Sequence, residues 1–202
     1  MKNIAENILK IVLRPALSFL ILFTILTGIV YPLVVTGVAQ VLFPKQANGS
    51  LIEREGKPVG SALIGQEFKQ PGYFWGRLSA TGTAPYNALA SGGTNYGALH
   101  PALAEAAGSR VKALRDADSL AGVASGGPIP MDLATSSASG LDPDISLEAA
   151  EVQAARVARA RGWPVSRVHG LIAQETQGKF LGFSGIPRVN VLRLNLALDA
   201  SR

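Results

Sequence analysis

The chain has no cysteine and only two histidines among its 202 residues. Without cysteine there is no disulfide framework, no thiol nucleophile and no thiolate metal site. No motif links His100 and His169, and both read as surface or helix-end residues. The Walker pattern GxxxxGK[ST] is absent. The serine-hydrolase elbow GxSxG is absent too, because Gly182-Phe183-Ser184-Gly185 has the wrong spacing. Asp142, Asp144 and Ser146 imitate the start of a calcium loop. Such a loop needs glycine sixth and glutamate twelfth, and Leu147 and Gln153 stand there instead. Charge is sparse at 16%, with a formal net charge of +5. No basic run and no basic–aromatic interleaving appears, which argues against a nucleic-acid partner.

What the chain does have is one long uncharged run, Pro15 to Phe43. A bilayer core needs about 20 apolar residues as a helix, so this run spans with tilt to spare. Pro32 lies inside it, and Thr24, Thr27 and Thr36 offer hydroxyls for freed backbone carbonyls. Gly28 and Gly37 allow close approach of another helix, and the Tyr31 phenol calls for a hydrogen-bond partner. Two readings stand: a helix packed on other spans through Thr24, Gly28, Tyr31, Pro32 and Gly37, or a plain anchor. A cleaved signal peptide is a third, with Gly37-Val38-Ala39 as its small-residue site; the length of the run argues for retention.

Lys2, Lys10 and Arg14 outnumber Glu6 before the span, so residues 1–14 are expected to be a cytoplasmic tail. The span is then 15–43, and 44–202 forms an extracytoplasmic domain. Anionic lipid near the tail accounts for the basicity.

Past the span, Pro44 stops the helix and Asn48-Gly49 marks a turn. Leu51 to Phe68 reads as a hairpin turning at Glu55-Gly56-Lys57-Pro58, with a second strand from Val59 to Ile64. Residues 71–98 show no period, and a long irregular stretch in a compact domain points to function or interaction. Residues 99–118 read as a helix with Leu103, Ala107, Val111 and Leu114 inward and Arg110, Lys112 and Arg115 elsewhere. A loop follows over 119–130. Ser146 is an N-cap for a helix to about Arg161, ended by Gly162 and Pro164, with Gln153, Arg156, Arg159 and Arg161 among its polar positions. Val165 to about Glu175 is a second helix, with Val168, Leu171 and Ile172 inward. Arg188 to Asp199 alternates Leu192, Leu194, Leu196 and Leu198 with polar or small residues, the pattern of a half-buried strand. The expected fold is a single N-terminal transmembrane helix followed by a soluble α+β domain.

Ser91-Gly92-Gly93-Thr94-Asn95 is a Gly-rich turn able to offer backbone N–H groups to an anion, although such turns are commonly structural. Thr135 to Ser139 is a hydroxyl-rich loop.

Several longer strings occur in order: RPALSF (14–19), TGIVYPLVVTGVAQVLFP (27–44), GSALIGQ (60–66), YFWGRLSA (73–80), YNALASGGTN (86–95), DLATSSASGLDPDIS (132–146) and PRVNVLRLNLALD (187–199). On these the chain resembles the C subunit of the Kdp potassium-transporting P-type ATPase of bacteria. It departs at Leu78, Thr94 and Asp144, where that family frequently has proline, serine and histidine.

The resemblance implies a non-catalytic, accessory subunit of an ATP-driven potassium uptake complex in the bacterial inner membrane. Its partners there are a channel-like potassium-selective subunit, a P-type ATP-hydrolysing subunit and a small single-span subunit. It also implies a catalytic chaperone that raises the pump subunit's affinity for ATP, the alternative being a structural cap near the potassium entrance. The family's SGG motif resembles the signature of ABC ATPases, which would assign Ser91, Gly92, Gly93 and Asn95 to nucleotide contacts. Flanking charge disagrees, since it puts the domain where ATP is not. The resemblance implies no firmly bound cofactor, no metal and no catalytic residue in this chain.

Overall fold

The computed structural model describes residues 9–124, 126–179 and 181–201. Lys2 and Glu6, used above for orientation, lie outside them. The chain divides into two units at Ser50/Leu51.

The first unit is built on α1 (Lys10–Leu42), a single apolar helix with a mean hydropathy of 2.3 in its most apolar window. None of that window is buried within the chain, so its whole surface is available to lipid or to other spans. Its prolines explain its irregularity. Pro15 and Pro32 each sit at the second position of an α-helical stretch, Arg14–Ile25 and Tyr31–Leu42. Each stretch follows a wider π-helical segment, Leu9–Leu13 and Leu26–Val30. A proline ring collides with the carbonyl four residues back, and the wider turn gives that carbonyl room. Tyr31 N–H accordingly bonds back to Leu26 O rather than to Thr27 O. A short helix, α2 (Pro44–Ala47), closes the unit, and Asn48 exchanges side-chain amide bonds with Gln40.

The second unit opens with a hairpin of β1 (Leu51–Arg54) and β2 (Lys57–Ser61). The turn is where the sequence puts it, but the second strand starts at Lys57 and ends at Ser61 rather than running from Val59 to Ile64. The helix α3 (Pro101–Leu120) follows a long irregular stretch and is capped by His100 Nδ1, which accepts the Ala102 N–H at 3.2 Å. After one short turn, α4 (Met131–Ala134), come β3 (Asp144–Ser146), α5 (Leu147–Arg161), α6 (Val165–Glu175), β4 (Thr176–Gln177), β5 (Arg188–Asn190) and α7 (Val191–Ala200). β5 is the middle of an antiparallel sheet in the order β3-β5-β4. Ser146 caps α5 by accepting the Ala149 N–H at 3.0 Å, and Gly162 ends it in the left-handed region.

One sequence expectation is overturned. Only Arg188–Asn190 is strand, and Val191–Ala200 is helix. The alternating leucines imitate a strand, but Val191, Leu194, Asn195 and Leu198, buried together with Leu192, take the i, i+3, i+4, i+7 spacing of a helix face. Asn190 is the start signal: its side chain accepts the Arg193 N–H at 3.1 Å.

The core joins Phe74 of the irregular stretch with Leu133, Ile145, Val157, Val168, Ile172, Val189, Leu194 and Leu198 from α4, β3, α5, α6, β5 and α7. It also contains polar side chains. Gln153 and Arg156 are 2% and 0% exposed, so two positions read from sequence as a polar face in fact point inward.

Candidate functional site

The irregular stretch after β2 is held by side chains instead of strand partners. Along residues 71–77 every carbonyl accepts from a side chain. Arg156 Nη1 donates to Pro71 O at 2.6 Å and to Tyr73 O at 3.1 Å. Arg161 Nε donates to Gly72 O at 2.7 Å. Asn195 takes both backbone groups of Phe74, and Gln153 both of Trp75. Arg110 Nη2 donates to Gly76 O at 2.8 Å, and Tyr86 Oη to Arg77 O at 2.6 Å. Buried backbone needs such partners, and here α3, α5, α7 and the nearby Tyr86 supply them. The guanidinium groups of Arg110 and Arg156 both lie over the Trp75 ring, 5.1 and 4.9 Å from its centre. Arg110 therefore faces inward, contrary to the helical face read from sequence.

Burial sets the electrostatics of this frame. It lowers Arg156 to about 10, offset by Asp118 3.4 Å from its Nε. Burial lowers Arg110 and raises Asp118 as well. It pushes the Tyr86 phenol up to about 12, with Arg110 pulling the other way.

The frame presents a three-loop joint. The Gly-rich turn at 91–95 lies against the hydroxyl-rich loop at 135–140, two features the sequence singled out separately. Gly92 N–H donates to Ser139 O at 2.9 Å, and Ser91 Oγ to the same carbonyl at 3.0 Å. Thr94 and Ser136 hydroxyls lie 3.4 Å apart. A Cβ on Gly93 would stand 2.8 Å from Ala138 O. Gly140, at φ +67, faces Thr81 and Gly92 so closely that a Cβ would lie 2.7 Å from Gly92 O. Glycine is required at both places by space, and at Gly140 by conformation as well. Ser79 Oγ ties in the third loop by donating to Gly140 O at 2.7 Å. Asn95, at φ +53, turns the chain away toward Tyr96, which stacks on His100. Leu89 and Leu99, each 98% exposed, border the joint.

The remaining singled-out residues lie apart from it. Thr27 Oγ1 donates to Phe23 O at 2.6 Å in α1. Tyr31 is 65% exposed, and a Cβ on Gly28 or Gly37 would meet nothing within 4 Å. Thr24, Gly28, Tyr31, Pro32 and Gly37 therefore leave the helix surface open. His169 pairs with Glu151. Asp142 pairs with Arg77 and Asp144 with Arg188, each at 2.9 Å. Among the described residues no group of three His, Asp or Glu side chains is placed to hold a metal ion.

Sequence reasoning missed Gln153, Arg156 and Asn195 as the residues that build the frame. The available signal was their placement at helix positions flanked by buried alanines and leucines: Ala149, Ala150 and Ala154 around Gln153, and Leu194 and Leu198 around Asn195.

Residues 13–200 match the family described as KdpC: K+-transporting ATPase, c chain. The "Potassium-transporting ATPase KdpC subunit" of Polaromonas naphthalenivorans (strain CJ2) is 60% identical over 192 residues, covering 95% of this chain and 96% of the relative. The protein of that name from Herpetosiphon aurantiacus is 60% identical over 186 residues, covering 92% and 94%. That from Variovorax paradoxus (strain S110) is 58% identical over 190 residues, covering 94% and 96%. With the likeness running through span and domain alike, the chain belongs to the KdpC family, the c chain of the potassium-transporting ATPase.

Proposed function

We propose that the chain is the non-catalytic accessory subunit of a high-affinity potassium uptake complex, where it stabilises assembly and tunes the pump. It crosses the inner membrane once, with its short N-terminus in the cytoplasm and its domain outside, beside the channel-like subunit. Lys10 and Arg14, at the N-terminal end of α1, support that orientation. The pump subunit and the small single-span subunit complete the assembly.

The observation that carries this reading is the frame around residues 71–77. Its arginines and amides are engaged in fixing backbone, and what it presents outward is a rigid loop joint bordered by exposed Leu89 and Leu99. Rigid, partly apolar loops on a braced scaffold suit contact with another protein. Gly92, in the turn that the resemblance links to nucleotide contact, already donates its N–H to Ser139 O. A catalytic-chaperone effect on ATP affinity would then be allosteric, and requires contacts that differ between two states of the pump.

The test is a chain ended after Ser50, co-expressed with the other subunits. Assembly that persists while potassium-dependent ATP hydrolysis loses potassium affinity or rate supports a tuning domain. Unchanged transport contradicts it. Purified full chain alone should hydrolyse ATP no faster than a heat-treated control.

A further inference from the structure

The loop between β4 and β5 carries exposed apolar side chains. Leu181, Phe183 and Ile186 are 72%, 76% and 70% exposed. The tip has a defined shape: Gly182 N–H donates to Lys179 O at 3.1 Å, and Leu181 holds φ +52. A leucine there is strained, and such strain persists where the shape is used. Ile186 lines one side of an open cleft of about 520 Å³, and Met131, 78% exposed, lines it with Ile186. Exposed apolar side chains beside an open cleft suit contact with another protein.

The charges in the cleft select the occupant. Four carboxylates line it against two guanidinium groups. Arg77 neutralises Asp142 and Arg188 neutralises Asp144. Asp132 accepts the Ser146 N–H at 2.7 Å and the Ser146 hydroxyl at 3.2 Å, and forms no ion pair among the described residues. Glu148 is exposed in the first turn of α5 and forms no ion pair among the described residues. An anionic lipid surface would be repelled by this excess. A polypeptide with a lysine or arginine flanked by apolar side chains would satisfy both the rim and the floor.

We propose that this cleft is a docking site for such a basic, apolar segment of another subunit of the complex, with Glu148 meeting its cation and Ile186 and Met131 its apolar flanks. The proposal rests on the accessory-subunit reading above and assigns it a specific surface.

The cysteine-free chain makes the test direct. Ile186→Cys, carrying a photoactivatable maleimide, is assembled with the other subunits and irradiated. An adduct to a subunit peptide containing Lys or Arg is expected. Glu148→Lys should lower recovery of the complex about tenfold relative to Glu105→Lys on the exposed face of α3, as loss of an interfacial charge pair does. Reversing the charge of the mapped partner residue should restore it. Retained thermal unfolding of both variants separates docking from folding. If the complex assembles but Ile186→Cys labels only lipid or nothing, and Glu148→Lys is recovered like wild type, this docking site is wrong and the accessory reading stands. If the wild-type chain fails to co-purify at all, both fall.

Discussion

Gln153 holds Trp75 by both of its backbone groups: Oε1 accepts the Trp75 N–H at 2.8 Å, and Nε2 donates to the Trp75 carbonyl at 3.1 Å. Asn195 does the same for Phe74, at 2.9 and 3.0 Å. Two helices thus grip consecutive residues of an extended segment as a neighbouring strand would. Replacing either amide by leucine orphans a buried N–H and a buried carbonyl. Gln153→Leu and Asn195→Leu should each destabilise the domain by about 3 kcal/mol, read from chemical denaturation. A loss below about 0.5 kcal/mol, the size of an ordinary surface change, would show that the grip is dispensable.

Tyr86 predicts the alkaline limit of the domain. Its phenol, at 10.0 when unfolded, is pushed up to about 12 by burial. Between those values the folded chain keeps a proton that the unfolded chain has lost. Stability is therefore fully present below the unfolded value and falls as pH rises through the interval. Tyr86→Phe removes the hydrogen bond to Arg77 O, so it lowers stability at neutral pH but flattens the slope between pH 10 and 12. Denaturation at a series of alkaline pH values checks both parts. An unchanged slope in the variant would assign the alkaline loss to other groups.

The three-loop joint is tested at its glycines. Gly140→Ala forces a side chain into the left-handed region and against Thr81 and Gly92, and should cost about 1–3 kcal/mol. Gly93→Ala should do less, through Ala138 alone, and Gly97→Ala, open on all sides, nothing measurable. Hydrogen exchange at Gly92 should accelerate in the first two variants and stay unchanged in the third. Equal exchange in all three would dissolve the joint.

The span is expected to pack on its partners through Gly28, Tyr31 and Gly37. Exchanging Thr24 through Leu42 for leucine keeps the length and apolarity but removes the small and polar positions. Recovery of the complex in mild detergent should fall severalfold, an effect of about 1 kcal/mol. Undiminished recovery would reduce α1 to an anchor.

Local signals carried much of the fold. The Ser146 cap, the Gly162 stop and the apolar face of α6 are short-range features, and each appears where the residues place it. The last segment was ambiguous because leucines at every second position fit a strand, while Val191, Leu194 and Leu198 among them fit a helix equally well. Asn190 decides between the two, since a side-chain cap favours the helix. The frame around residues 71–77 was not legible at all. All of its partners but Tyr86 are more than 30 residues away, and no periodicity records a carbonyl that accepts from a distant arginine. For the same reason Gln153 and Arg156 looked like solvent-facing residues. The joint between residues 91–95 and 135–140 was visible only as two separate loops.

The location of the domain is the claim on which the functional reading turns, and a cysteine at Leu89 tests it. That side chain is 98% exposed beside the joint, and no native cysteine competes. A membrane-impermeant thiol reagent should label Leu89→Cys in spheroplasts, and in inverted vesicles only after they are opened. Labelling confined to intact inverted vesicles would place the domain in the cytoplasm and bring Ser91, Gly92, Gly93 and Asn95 within reach of ATP.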